Sequence, residues 1–231
     1  MVDGPTEPPA SQWVFPELDP ELDSEVVGVG ADLEPGTLLA AYRCGMFPMP
    51  LDRGDRIAWW SPDPRGIIEL ADLRISRSLR RSVRRYTVTV NNDFEGVIDH
   101  CRGLPRDGGW ISPAIRDAYV LLHRLGWAHS VETWSDDGQL VGGLYGVAVG
   151  GLFAGESMFS TATDASKVAL VELVRQLDAA GAELLDVQWC TDHLLTLGAS
   201  AISRAGYLER LAAAVGSPYQ PIFAQMSHSA N

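Results

Sequence analysis

No stretch of about 18 apolar residues occurs in this sequence, which leaves no candidate for a membrane-spanning helix. Its N-terminus lacks a basic segment followed by an apolar one, so a soluble, unexported, cytoplasmic protein is expected. Cysteine is scarce: Cys44, Cys101 and Cys190 are odd in number and far apart. That pattern suits a reducing compartment and excludes both a disulfide framework and a paired-cysteine zinc site. Histidines are too dispersed to suggest a metal. The Gly-x-Ser-x-Gly turn of a nucleophile elbow is absent, and neither His129 nor His193 lies beside a serine or cysteine in a defensible catalytic arrangement. Lysine is nearly missing as well. Of 18 basic residues all but Lys167 are arginine, and the net charge of −12 argues, for the chain as a whole, against a nucleic-acid partner.

What is present reads as globular: 231 residues, 46% hydrophobic and 21% charged, enough for one large domain or a small one plus a medium one. Residues 1–12 are Pro-rich and polar and are expected to be disordered. Pro35 is a good first helical residue for a helix through Tyr42, ended by Gly45. Residues 59–65, Trp-Trp-Ser-Pro-Asp-Pro-Arg, read as a rigid aromatic loop in which Trp59, Trp60 and, further on, Trp110 either stack on a base or plug a seam. A boundary near residue 62 divides a small N-terminal domain (1–62) from an α/β domain (63–215), with a tail over 216–231. Within the larger part, strands are predicted at 87–91, 129–134, 140–149, 152–153 and 183–189. Helices are predicted at 93–101, at 113–125 behind the Ser112 cap, at 165–180 and, last, after Ser203. Antiparallel hairpins among α/β elements give an α/β (α+β) class, closer to an acetyltransferase-like sheet than to a doubly wound one.

The arginines are not spread evenly. Arg74, Arg77, Arg80, Arg81, Arg84 and Arg85 fall, at roughly 100° per residue, within an arc of about 140°, while Ile75, Leu79, Val83 and Tyr86 occupy another. A helix here buries one side and shows an arginine stripe on the other. Such a stripe is either a solvated face or a phosphate-binding one, and its imbalance in an acidic chain favours phosphate.

Two places carry candidate chemistry. Residues 155–160 read as a polar loop between an apolar strand and a helix that Asp164 can cap. Glu156 is that loop's only carboxylate, a solvated acid or a site acid. Asp186 and Gln188, two apart on a predicted strand, leave one face together, so the carboxylate can accept from the amide NH₂ and turn the amide oxygen outward toward an amine. The alternative is a polar face covered by a helix.

Taken together, Tyr42-x-x-Gly-x-Phe-Pro, Trp60-Ser-Pro-Asp-Pro-Arg, Trp110-Ile, His129-Ser-Val-Glu-x-Trp, Leu140-Val-Gly-Gly-x-Tyr-Gly, Gly155-Glu-Ser-Met-Phe-Ser, Ala165-Ser-Lys and His193-Leu-x-x-Leu-Gly-Ala make residues 13–210 resemble the bacterial leucyl/phenylalanyl-tRNA–protein transferases. The resemblance implies a small N-terminal domain on an acetyltransferase-like one. It implies transfer of Leu or Phe, and Met less well, from aminoacyl-tRNA to proteins beginning with Arg or Lys, marking them for N-end rule degradation. No cofactor or metal is implied, nor a membrane, and a monomer is expected. Asp186 and Gln188 match the pair that assists the amine, and Glu156 the glutamate near the aminoacyl group. Leu144, Phe153 and Met158 fall where the aminoacyl pocket is lined. Tyr42 and Trp110 match residues around the terminal adenosine, as does position 49, where Met49 stands in place of the family's usual Trp. Trp59 or Trp60 is expected to supply the missing ring. Two other classes remain: an acyl-CoA-dependent N-acetyltransferase, for which residues 161–167 lack the Arg/Gln-x-x-Gly-x-Gly/Ala turn, and a non-catalytic RNA-binding module.

Overall fold

The computed structural model describes residues 4–51, 56–104 and 109–217. Two sheets organise them. A three-stranded antiparallel sheet has the order β1 (Val26–Val29), β3 (Ile57–Trp60), β2 (Phe47–Pro50). Helix α1 (Pro35–Arg43) packs beside it, opening on Pro35 and followed by Gly45 at φ +82°. The expected aromatic loop is shorter than the sequence suggests, because residues 57–60 form the central strand. Bulky aromatics suit a pleated surface, and pairing on both sides fixes them there. Trp59 points into the core against Phe15 and donates to the Gly30 carbonyl, whereas Trp60 turns toward Trp189.

Of the N-terminal residues expected to be disordered, 4–12 are described: Pro8 is buried and most of the others are exposed. Thr6 N–H donates to Leu125 O at 2.8 Å, Trp127 Nε1 donates to Thr6 O at 2.8 Å, and Glu7 pairs with Arg43. Most of the expected tail, 218–231, lies outside the described residues.

The larger sheet has seven strands: β4 (Arg65–Ile68), β5 (Thr87–Val90), β6 (Ala128–Trp134), β7 (Leu140–Val149), β8 (Leu152–Ser160), β9 (Leu184–Gln188) and β10 (Ser200–Ile202). Their order is β10-β4-β9-β8-β7-β6-β5, antiparallel throughout except for the β8–β9 pair. This mixed sheet agrees with the α/β (α+β) class read from the sequence. One core holds α3 (Phe94–Arg102), α4 (Pro113–Arg124) and α7 (Arg204–Gly216) with residues such as Ile98, Tyr119, Tyr145 and Leu211. The other lies beneath α2 (Arg77–Val83) and α5 (Ala165–Ala179), with Leu79, Leu144, Leu173 and Leu185. Leu144 and its neighbour Tyr145 enter different cores, as the period-two pleat requires. The short helix α6 (Asp192–Thr196) is capped by Thr191.

The stretch expected to be a polar loop is the second half of β8. It pairs with β7 through Ser160, and one irregularity sits between Gly146↔Gly155 and Tyr145↔Ser157. Glu156 is the residue left over. A bulge leaves a residue unpaired and redirects its side chain, here out of the ladder. Asp164 does not cap α5 through its side chain: at φ +62° its carboxylate receives Ser82 Oγ at 3.0 Å and Lys167 Nζ at 3.1 Å, tying α2 to α5.

Candidate active site

The parallel β8–β9 ladder is short. It joins Leu152 to Leu184, Phe153 to Leu185 and Ala154 to Asp186, and then stops while β8 continues alongside β7. Where the strands part, a cavity of about 670 Å³ opens. Its aliphatic wall comes from the core beneath α5 and includes Leu144, Met158, Leu170, Leu173 and Leu185. Its aromatic wall comes from the other core and includes Phe47, Trp110 and Trp189, with Met49 beside them. Glu156 and Gln188 line the fork.

Glu156 is enclosed by protein except where it meets the cavity. Its Oε1 accepts from Tyr42 Oη at 2.7 Å and its Oε2 from Tyr119 Oη at 3.0 Å, and the two hydroxyls also touch each other. Burial pushes the carboxyl up to about 7; the two tyrosine hydrogen bonds oppose this, nearby Asp186 adds to it and Arg65 lowers it. Both phenols are held well above their ordinary value, chiefly by burial and by the charge of Glu156, and stay protonated.

Between about pH 4.5 and 7 the folded chain keeps a proton on Glu156 that the unfolded chain has lost, so this group's contribution to stability falls as pH rises through that window. Glu156→Gln removes the dependence. The variant is expected to gain on the order of 2–3 kcal/mol relative to wild type from acid to alkaline pH, read from urea melts. A constant difference across the window would mean that Glu156 titrates normally.

Gln188 faces this acid, its Nε2 lying 3.5 Å from Glu156 Oε1. The amide therefore turns toward Glu156 and not, as the two-residue spacing suggests, toward Asp186. Asp186 is completely buried and pairs bidentately with Arg65, Nε to Oδ1 at 2.9 Å and Nη2 to Oδ2 at 2.6 Å. It also receives Tyr207 Oη at 2.9 Å and the backbone N–H of Gln188 at 2.9 Å. Strict alternation fails at Gln188 because its φ is +58°.

The other expected residues divide. Leu144, Met158, Met49 and Trp110 line the cavity. Phe153 is fully buried in the core behind the wall, and Tyr42 is buried with its hydroxyl on Glu156. Trp59 is sealed in the N-terminal sheet, while Trp60 donates its Nε1 to Met49 O at 3.2 Å; Trp189, which meets Phe47 edge-on at 5.2 Å and Trp60 at 6.2 Å, lines the cavity together with Met49. Of the arginines, α2 carries Arg77, Arg80 and Arg81; Arg74 precedes it, and Arg84 and Arg85 follow. All six are exposed and, among the described residues, none has an ion-pair partner, whereas Arg116 binds Glu95 and Asp99 and Arg175 binds Glu172. Arg65, Tyr119, Tyr207 and Trp189 carry no role in the sequence reading. Among the described residues no cluster of three or more His, Cys, Asp or Glu could hold a metal, and no helix is long and apolar enough to cross a membrane.

A mixed sheet forking around an apolar chamber, with an amide and a near-neutral acid at the fork, defines an acyltransferase-like enzyme. Comparison with known proteins narrows the class. Residues 67–212 match the profile of the leucyl/phenylalanyl-tRNA protein transferases, and residues 31–63 match that family's N-terminal domain. The chain is 50% identical to a leucyl/phenylalanyl-tRNA–protein transferase of Stutzerimonas stutzeri over 88% of this chain and 92% of that one. It is 46% identical to the protein of that name from Sulfurimonas denitrificans, over 87% and 88%. The solved structure of L-PGS from Bacillus licheniformis is a distant likeness, 17% identical with a TM-score of 0.39 over 55% of this chain and 46% of that one. The chain belongs to the leucyl/phenylalanyl-tRNA protein transferase family, and it is an aminoacyltransferase.

Proposed function

We propose that this enzyme transfers leucine or phenylalanine, and methionine less well, from aminoacyl-tRNA to the N-terminus of proteins that begin with Arg or Lys. It does so in the cytoplasm, as a monomer, and marks those proteins for N-end rule degradation. The observation that carries this reading is the fork: an apolar chamber bordered by an acid and an amide, with an aromatic wall opposite. The aminoacyl side chain lies against Leu144 and Met158, and the terminal adenosine lies along Trp110, Met49 and Trp189. The exposed arginines from Arg74 to Arg85 hold the tRNA backbone.

The reaction is aminolysis of an ester already activated on tRNA. The acceptor's α-amino group attacks the ester carbonyl, the new C–N bond forms, the C–O bond to ribose breaks, and the proton lost by nitrogen ends on the departing ribose oxygen. An α-amino group with a pKa of about 7.7–8.0 is partly neutral near pH 7, so a strong base is unnecessary. With its nitrogen turned to Glu156, Gln188 offers its amide oxygen to the amine, and Glu156 is suited to relay the proton. Most of the acceleration comes from holding ester and amine together. An apolar pocket distinguishes one methylene by only about 1–3 kcal/mol, so exclusion of Met is partial. The acidity of the chain favours a basic acceptor.

The test is a transfer assay with labelled Phe-, Leu-, Met- and Ala-tRNA and peptides beginning with Arg or Ala. Label should pass from Phe- and Leu-tRNA, and more weakly from Met-tRNA, to the Arg peptide alone. Transfer from acetyl-CoA instead, or tRNA binding without transfer, would replace this reading with one of the other two classes.

A further inference from the structure

We propose that Arg65 and Gly66 are positioning residues for Gln188, and that Asp186 serves as a strut for the backbone at 188 and not as a proton relay to its side chain. The inference rests on the aminolysis reading above and concerns how its amide is held.

Gln188 is the centre of a three-residue turn: Trp189 N–H donates to Val187 O at 2.7 Å, across a residue whose φ is +58°. A γ-turn of this hand is rare and strained, and a non-glycine residue stays in it only where its surroundings over-determine it. Those surroundings are two adjacent residues of β4.

Arg65 acts through Asp186. A carboxylate offers about four lone-pair sites. On Asp186, Oδ1 takes Arg65 Nε and the Gln188 N–H, while Oδ2 takes Arg65 Nη2 and Tyr207 Oη. All four are occupied, so nothing is left to accept from the Gln188 amide. The guanidinium is itself fixed, donating to Gly45 O at 3.2 Å and lying between the rings of Phe47 at 4.9 Å and Tyr207 at 4.3 Å. Because Phe47 lines the cavity, one buried arginine sets both a wall of the chamber and the backbone that carries the amide.

Gly66 acts by having no side chain. It pairs with Gln188 at the point where the β4–β9 register shifts. A Cβ there would stand 2.9 Å from Trp189 C and 3.0 Å from Cys190 N, so the turn nests into the space that the glycine leaves. Neither Arg65 nor Gly66 lines the cavity.

A double-mutant cycle on the full-length protein tests this, with single-turnover transfer of Phe from Phe-tRNA to an Arg-starting peptide as the rate. Binding of a non-hydrolysable phenylalanyl-adenosine analogue is the second measurement. Gly66→Ala is expected to slow transfer about 10²-fold, the cost of misplacing a reacting group by about 1 Å, a loss well beyond any change in analogue affinity that comes from pressing on Trp189. In a Gln188→Ala background the same substitution should change the rate by less than about twofold, since there is no amide left to misplace. Arg65→Lys, which cannot span both Asp186 oxygens in parallel, should show the same dependence of the rate on background and serves if the alanine does not fit, with some loss of analogue affinity because Arg65 also holds Phe47. Equal losses in both backgrounds, or no loss in either, would overturn the positioning role. A wild-type protein that binds the analogue but transfers nothing would instead overturn the proposed function.

Discussion

Gln188→Ala is expected to lower the transfer rate about 10²- to 10³-fold while affinity for charged tRNA stays within about twofold. The geometry separates the two quantities. The apolar walls and the exposed arginines meet the charged tRNA before any bond changes, and Gln188 adds little to them. Its side-chain hydrogen bond to Glu156 Oε1 is 3.5 Å long, too long to contribute much to a resting complex. The amide acts when the amine arrives and sheds a proton. An interaction made only then lowers kcat and kcat/KM together and leaves KM unchanged. Gln188→Glu sharpens the test. A second carboxyl beside Glu156 disfavours ionisation of both, so the variant should be slow at neutral pH even though its side chain has nearly the same shape. Single-turnover rates at saturating enzyme, set beside filter binding of Phe-tRNA, give both numbers. A loss of affinity as large as the loss of rate would move Gln188 from the chemistry to binding.

Much of the scaffold is legible in the sequence because its signals are local. Ser112 and Ser203 cap their helices as read, and the strands expected at 129–134 and 140–149 pair as a hairpin. The candidate site is legible only in its residue types. Glu156 breaks the period-two pattern of β8, and a polar break in an apolar run reads as a loop, although here it is a bulge in a continuing strand. Asp186 and Gln188 share a face only if the strand stays extended, and nothing in the residues 186–188 announces the positive φ at 188. The partners of these groups are remote: Arg65 is 121 residues from Asp186, and Tyr42 is 114 from Glu156. A buried arginine, moreover, looks in sequence like any exposed one. Its position before the apolar run 66–68 was the available hint, since a charge at the head of a fully buried strand needs a counter-charge inside.

Replacing Arg77, Arg80, Arg81 and Arg84 together by Gln is expected to weaken binding of charged tRNA about 10³-fold near 0.1 M salt, with the difference shrinking as salt approaches 1 M. Each arginine that neutralises a phosphate contributes about 0.7–0.9 to the slope of log affinity against log salt, so the variant's slope should be shallower by about 3. These arginines suit the task because, among the described residues, they hold no carboxylate that would have to be displaced, and they stand exposed on and beside one short helix in a chain whose net charge of −12 otherwise repels RNA. Arg175, already bound to Glu172 at 2.6 Å, is the control: Arg175→Gln should leave the slope unchanged. A second control separates anchoring from chemistry. Phenylalanyl-adenosine carries no tRNA body, so the fourfold variant should turn it over at the wild-type rate. A slope unchanged by the four substitutions would remove the stripe from tRNA binding, and slow turnover of the small substrate would assign those arginines to the reaction itself.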